Sequence, residues 1–130
     1  MLMRKVVLML ALGLTCGPAL AEWTFAVEGD GTKTYVNLAS IRKTGDTVKM
    51  WVLNDFNKVQ KVGKKKFLSS ASQLEFDCAD GTLSTTSMLD YAGHMAKGHV
   101  VYNNDFYDPP SPVPPDSVGE RLLKVACDNS

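Results

Sequence analysis

The chain has 130 residues, with 14 basic and 14 acidic side chains and a formal net charge of zero at pH 7. That balance supplies no global field to draw in nucleic acid, and neither an internal repeat nor a second domain is visible in the pattern.

Residues 1–21, MLMRKVVLMLALGLTCGPALA, place Arg4 and Lys5 before an apolar run from Val6 to Leu14 and end on Ala19-Leu20-Ala21. This is the layout of a cleaved export leader with a small-x-small cutting site, so the mature domain is expected at 22–130. A membrane anchor needs ~20 uninterrupted apolar residues. Thr15, Gly17 and Pro18 interrupt this run, and no transmembrane segment is expected in the mature chain. Cys16 sits where a lipidated cysteine would, but Gly13 and Thr15 are not the large aliphatic and small residues that lipoprotein processing prefers at those positions. Cleavage removes two bases and no acid, which leaves 12 basic and 14 acidic residues and a net charge of about −2. Any charge-driven binding must then be local.

Trp23 to Val27 alternates and runs into Glu28-Gly29-Asp30-Gly31, and Lys33 to Asn37 follows, so a hairpin is expected. Leu38 to Ile41 reads as one loose turn, and Thr44-Gly45-Asp46 turns the chain into a third strand from Thr47 to Leu53. Val48, Met50 and Val52 share one face of that strand while Trp51 and Leu53 share the other, the mark of a central strand covered on both sides. Asn54 to Lys66 is polar and basic around Gly63 and reads as a projecting loop. Phe67 to Cys78 forms a long strand, in which Leu74, Phe76 and Cys78 alternate with polar residues. Its partner, Thr82 to Tyr91, is rich in Thr and Ser and has one wet face, and His99 to Tyr102 is a sixth short strand. The run Asp108 to Pro115 holds five prolines, cannot pair inside a sheet and is expected to travel as an extended connector. Ser117 and Glu120 then match a capping box, and Val118, Leu122, Val125 and Ala126 put an apolar stripe on a short C-terminal helix.

Loss of Cys16 with the leader leaves Cys78 and Cys127. An even pair in an oxidising compartment reads as one disulfide, which would close a loop of about 50 residues and contribute ~4 kcal/mol in the chain-entropy model. The alternatives are two free buried thiols, or a redox or metal pair, which needs closer spacing.

Three stretches together resemble the surface-adhesin protein E family of small exported bacterial proteins. They are TYVNLASIRKTGDTVKMWVLNDF, SSASQLEFDC with Ser70 eight residues before the cysteine, and the closing PPDSVGERLLKVAC. The resemblance covers most of Lys33 to Cys127. It implies an α+β fold in which an antiparallel sheet of about six strands carries a C-terminal helix on one face, joined to the sheet by the disulfide. It also implies attachment to host-surface or extracellular-matrix macromolecules. The founding adhesins are lipoproteins, whereas this leader has the form of an ordinary cleaved one, so a soluble periplasmic protein that binds a small ligand or assists assembly is the alternative.

Lys58, Lys61, Lys64, Lys65 and Lys66 form the one strong charge asymmetry, with no acid between Asp55 and Glu75. Such a run can be a solvated guard for a sheet edge. It can also be a docking patch for a host or matrix protein or an acidic glycan, with Lys64, Lys65, Lys66 and the adjacent Phe67 as its contacts. His94 and His99, near Asp90, Asp105 and Asp108, match no metal-ligand spacing and read as surface histidines. No nucleophile elbow, phosphate loop or paired acid appears, so neither catalysis nor a cofactor is expected. Trp23, Trp51, Phe25, Phe106 and Tyr107 are expected mainly in the core, with Phe106-Tyr107 the pair best placed to meet a partner. The free edge strands leave room for a homodimer.

Overall fold

The structure, a computed structural model, describes residues 22–105 and 108–130. The leader, Cys16 and the Phe106-Tyr107 pair lie outside the described residues.

Asp30 and Gly31 both have positive φ, 54° and 75°, the backbone that lets two residues reverse a twisted hairpin. They join β1 (Thr24–Gly29) to β2 (Thr32–Thr44). The chain continues through β3 (Thr47–Val62), β4 (Lys65–Asp77), β5 (Thr82–Tyr91), a 3₁₀ turn (His94–Ala96) and β6 (Val100–Asp105). These six strands pair antiparallel in chain order. A two-residue β7 (Ser111–Pro112) and the helix α1 (Val118–Asp128) close the fold.

Two stretches expected as irregular are paired instead. Leu38 to Ile41 lies within β2 as a bulge, because four residues oppose Met50 alone between the pairs Asn37↔Trp51 and Arg42↔Lys49. Ser40 fills the gap: its hydroxyl donates to the Asn37 carbonyl at 2.6 Å and accepts the Trp51 N–H at 2.9 Å. The expected loop at Asn54–Lys66 is a hairpin extension, with Gln60↔Phe67, Lys61↔Lys66 and Val62↔Lys65 in register around a turn at Gly63-Lys64. Its tip buries neither face, and Phe56 to Val59 oppose only Leu68, so the period-two signal of a strand is lost while the backbone still pairs.

Directly opposed residues share a face of a sheet. The registers Val36↔Val52, Met50↔Leu74 and Val48↔Phe76 therefore carry one apolar face across the three strands β2, β3 and β4. Leu122 and Ala126 of α1 pack onto it, and Val48, Met50, Phe76 and Ala126 are fully buried. Burial stabilises each of the large side chains by about 1.5–3 kcal/mol. Ser117 caps the helix as expected, accepting the Glu120 N–H at 3.1 Å, while the Glu120 carboxylate takes the N–H of Asp116 rather than that of the cap. Val118 departs from the expected stripe. It is 48% exposed and lines the open cleft between α1 and β1. Cys78 and Cys127 are bonded at 2.03 Å, tying the end of β4 to the helix.

The opposite face holds Leu53 and Ala71, both buried, and Trp51, half-buried. The 3₁₀ turn packs over β3 and β4 there. Phe25 is not core: it is 53% exposed and meets Tyr35 edge-on at 5.7 Å, and Trp23 is half-buried. The proline connector runs extended as expected and also lies along β5. Asp108 N–H reaches Thr85 O at 3.2 Å, Ser111 and Pro112 register with Leu83 and Thr82, and Val113 N–H reaches Gly81 O at 3.0 Å.

Candidate functional site: the basic β3–β4 hairpin

Gly63 has φ +60°, and no heavy atom would crowd a side chain there, so the turn needs glycine for its backbone rather than for space. That turn brings the lysines of the run together. Lys61 and Lys66 stand directly opposite one another, Lys65 pairs with Val62, and Lys64 occupies the turn. In such a pair Cβ atoms are about 4.5–5.5 Å apart, and like charges there destabilise the sheet. Lys58, Lys61, Lys64, Lys65 and Lys66 are all exposed. The ion pairs among the described residues are Lys124–Glu120 and His94–Asp55, so no carboxylate neutralises the five.

Beside the turn, Lys65 and Lys66 line a notch of about 280 Å³ together with Ala92, His99, Val100 and Val101. Two ammonium groups and an imidazole over an apolar floor suit an anion attached to a partly apolar body. His99 was not legible as part of this patch, because its approach depends on the register of β4, β5 and β6. Phe67 stands beside the lysines but is half-buried and packs edge-on against Phe56 at 5.8 Å, so it supports the hairpin more than it presents an apolar contact.

The histidines and acids considered as metal ligands are dispersed. His94 Nδ1 lies 3.1 Å from Asp55 Oδ1, His99 lines the notch, and Asp105 accepts from Ser87 Oγ at 2.8 Å. Asp90 is buried in a cross-strand polar row with Thr34, Asn54 and Ser70, where Thr34 Oγ1 donates to Asn54 Oδ1 at 2.9 Å. A second cleft, of about 580 Å³, runs between β1 and α1 over Val27, Val118 and Val125, with Arg121 and Asp128 on its rim. No helix of the described residues is long and apolar enough to cross a membrane.

Comparison with known proteins gives a consistent picture. The family model described as Surface-adhesin protein E matches residues 23–128. Crystal form II of Haemophilus influenzae protein E superposes with a TM-score of 0.69 at 15% identity, covering 86% of this chain and 91% of that one. A second structure of Haemophilus influenzae protein E gives 0.67 at 15% identity, covering 86% and 88%. At these identities the likeness is one of fold. No curated protein matches the sequence.

Proposed function

The chain belongs to the surface-adhesin protein E family, and from that premise we propose that it is an exported, non-enzymatic attachment protein that holds an acidic macromolecule of a host surface or matrix on its β3–β4 hairpin. The observation that carries this reading is the register pair Lys61↔Lys66 within a set of five exposed lysines that no acid neutralises. Opposing two like charges at a solvated tip costs the sheet a little stability, whereas a polyanion laid across them removes the repulsion and gains charge-assisted hydrogen bonds. The leader at 1–21 would deliver the domain out of the cytosol, and the hairpin would present its exposed lysines to the partner.

The test uses heparin and immobilised matrix proteins as probes. Lys64→Glu/Lys65→Glu/Lys66→Glu should abolish binding that the parent shows and that weakens with salt. Binding unchanged by the triple reversal would remove the hairpin from the function. A soluble periplasmic role has one observation in its favour, the cleft between β1 and α1, whose size is that of a small-ligand site. An antibody against the folded domain separates the two locations, since it labels intact cells only when the protein is displayed outside.

A further inference from the structure

β4 and β5 do not run side by side over their whole lengths. Their last register pair is Ser69↔Tyr91, and from Ala92 the chain folds back on its own loop, with Ala92 N–H on His99 O at 3.0 Å and Gly93 N–H on Lys97 O at 2.9 Å. β4 begins ahead of that pair, at Lys65, and is matched there by β3 alone. The notch between the two lysines and His99 is the gap that this parting leaves. The turn decides which backbone groups face it. Gly63 and Lys64 form a two-residue hairpin turn, and the pair that closes such a turn, Val62↔Lys65, exchanges its backbone bonds. Antiparallel pairs alternate, so at the next pair, Lys61↔Lys66, the N–H and C=O point away from the partner strand. Those of Lys66 therefore face the gap. Among the described residues, no backbone group bonds them from that side.

An unpaired donor and acceptor beside the place of a missing strand is what a guest strand uses, and lysines on such an edge keep ordinary strands away. The guard is selective. A charge that repels a basic neighbour favours an acidic one, so the same side chains that refuse most chains admit one of opposite sign. Lys65 and Lys66 are consecutive, so their side chains leave the sheet on opposite faces, and Lys61 shares the face of Lys66. Exposed His99 adds an imidazole from the β6 side, and no carboxylate lines the notch.

We propose that the notch takes an extended peptide segment as a short added strand on β4, with one guest residue exchanging both backbone bonds with Lys66 and two consecutive acidic residues of the guest meeting Lys66 on one face and Lys65 on the other. This rests on the reading that the hairpin holds an acidic macromolecule, and it names that macromolecule as a protein segment. A sulfated glycan can meet the ammonium groups, but it brings no peptide N–H and C=O for those of Lys66. Opposite charges across neighbouring strands are favourable, so the guest also relieves the repulsion between Lys61 and Lys66. Recognition then lies in two acids on adjacent residues of an extended chain, and total charge alone is not enough.

Fluorescence anisotropy of the oxidised protein with a labelled, end-capped peptide, carrying a central Asp-Glu pair between valines and threonines, tests this. Binding should weaken as salt rises, and by about tenfold or more when the central pair becomes Asn-Gln. Methylating the two central amide nitrogens keeps the charge and removes the guest's donors, and it should weaken binding by a similar factor. In the saturated complex, hydrogen exchange at the Lys66 amide should slow by about tenfold or more, while the Gly63 and Lys64 amides keep their rates. Lys66→Pro deletes the edge donor without touching the bonds that Lys65 makes to β3, and it should bind more weakly than Lys66→Gln, which loses the charge alone. If Lys66→Pro alters the circular dichroism, the methylated peptide and the exchange rate in the parent decide by themselves. Binding that survives methylation, or a Lys66 amide whose exchange is unchanged in the complex, would overturn the strand addition. A heparin oligosaccharide that binds where the acidic peptide does not would also overturn it, yet leave the hairpin standing as an anion site. Failure of every acidic probe, heparin included, would remove the hairpin reading along with it.

Discussion

Ser69 on β4 fixes Ala96 across 27 positions of sequence: its hydroxyl accepts the Ala96 N–H at 2.9 Å while donating to the Gly93 carbonyl at 2.6 Å. Met95 and Ala96 both have positive φ, 56° and 59°, a backbone that side-chain-bearing residues adopt only when the surroundings impose it. Asp55 helps impose it by accepting the Met95 N–H at 2.9 Å. Ser69 is fully buried, so Ser69→Ala would leave the Gly93 carbonyl and Ala96 amide unpaired and should cost about 1–3 kcal/mol of unfolding free energy. Denaturant titration measures that loss, and faster amide exchange at Ala96 than across β3 would show that the turn loosens first.

The Cys78–Cys127 bond closes a loop with a sequence separation of 49, for which the chain-entropy model gives about 4 kcal/mol. Cys78→Ser/Cys127→Ser, or reduction of the parent, should lower stability by up to that amount. The effect should centre on α1. An 11-residue helix is marginal alone in water, so the reduced protein is expected to lose helical circular dichroism at a lower denaturant concentration than its sheet signal, whereas the oxidised protein loses both together.

Lys61→Glu turns a like-charged register pair into an opposite one. It should raise stability by roughly 0.5–1 kcal/mol and at the same time weaken heparin binding. The two effects have opposite signs, which is what distinguishes a residue kept for binding from one kept for the fold. A parallel fall in both quantities would point to a damaged hairpin.

Ser117→Ala removes the acceptor for Glu120 N–H and the hydroxyl that donates to the Pro114 carbonyl at 2.6 Å. The expected cost is about 1 kcal/mol by denaturant midpoint with an unchanged slope. Leu122→Ala, buried at the centre of the helix contact, should cost more, about 2–5 kcal/mol.

The parts of the fold that could be read from the chain are those where one face is buried. Val48-Met50-Val52 and Leu74-Phe76 alternate because their neighbours face the other side of the sheet, and Ser117 announces the helix because a cap is a local interaction. The bulges at Leu38–Ile41 and Phe56–Val59 were hidden for the converse reason: inserting residues destroys alternation while backbone pairing persists. Val118 followed the helical period, yet a period gives a direction around the helix and not the position of the sheet edge beneath it. At the candidate site, the lysine run was plain in the sequence, but the opposition of Lys61 and Lys66 and the arrival of His99 follow from strand register, which no short window of residues encodes.

Because successive strands are neighbours, each hairpin can form as soon as its own residues are available, but the apolar face of Val48, Met50 and Phe76 receives its cover from the last element of all. The bond from Cys78 to Cys127 therefore holds in place the one element that roofs this face and that comes last in the chain. A chain cut short before Val118 would carry every strand of the sheet and leave its oily side open to water.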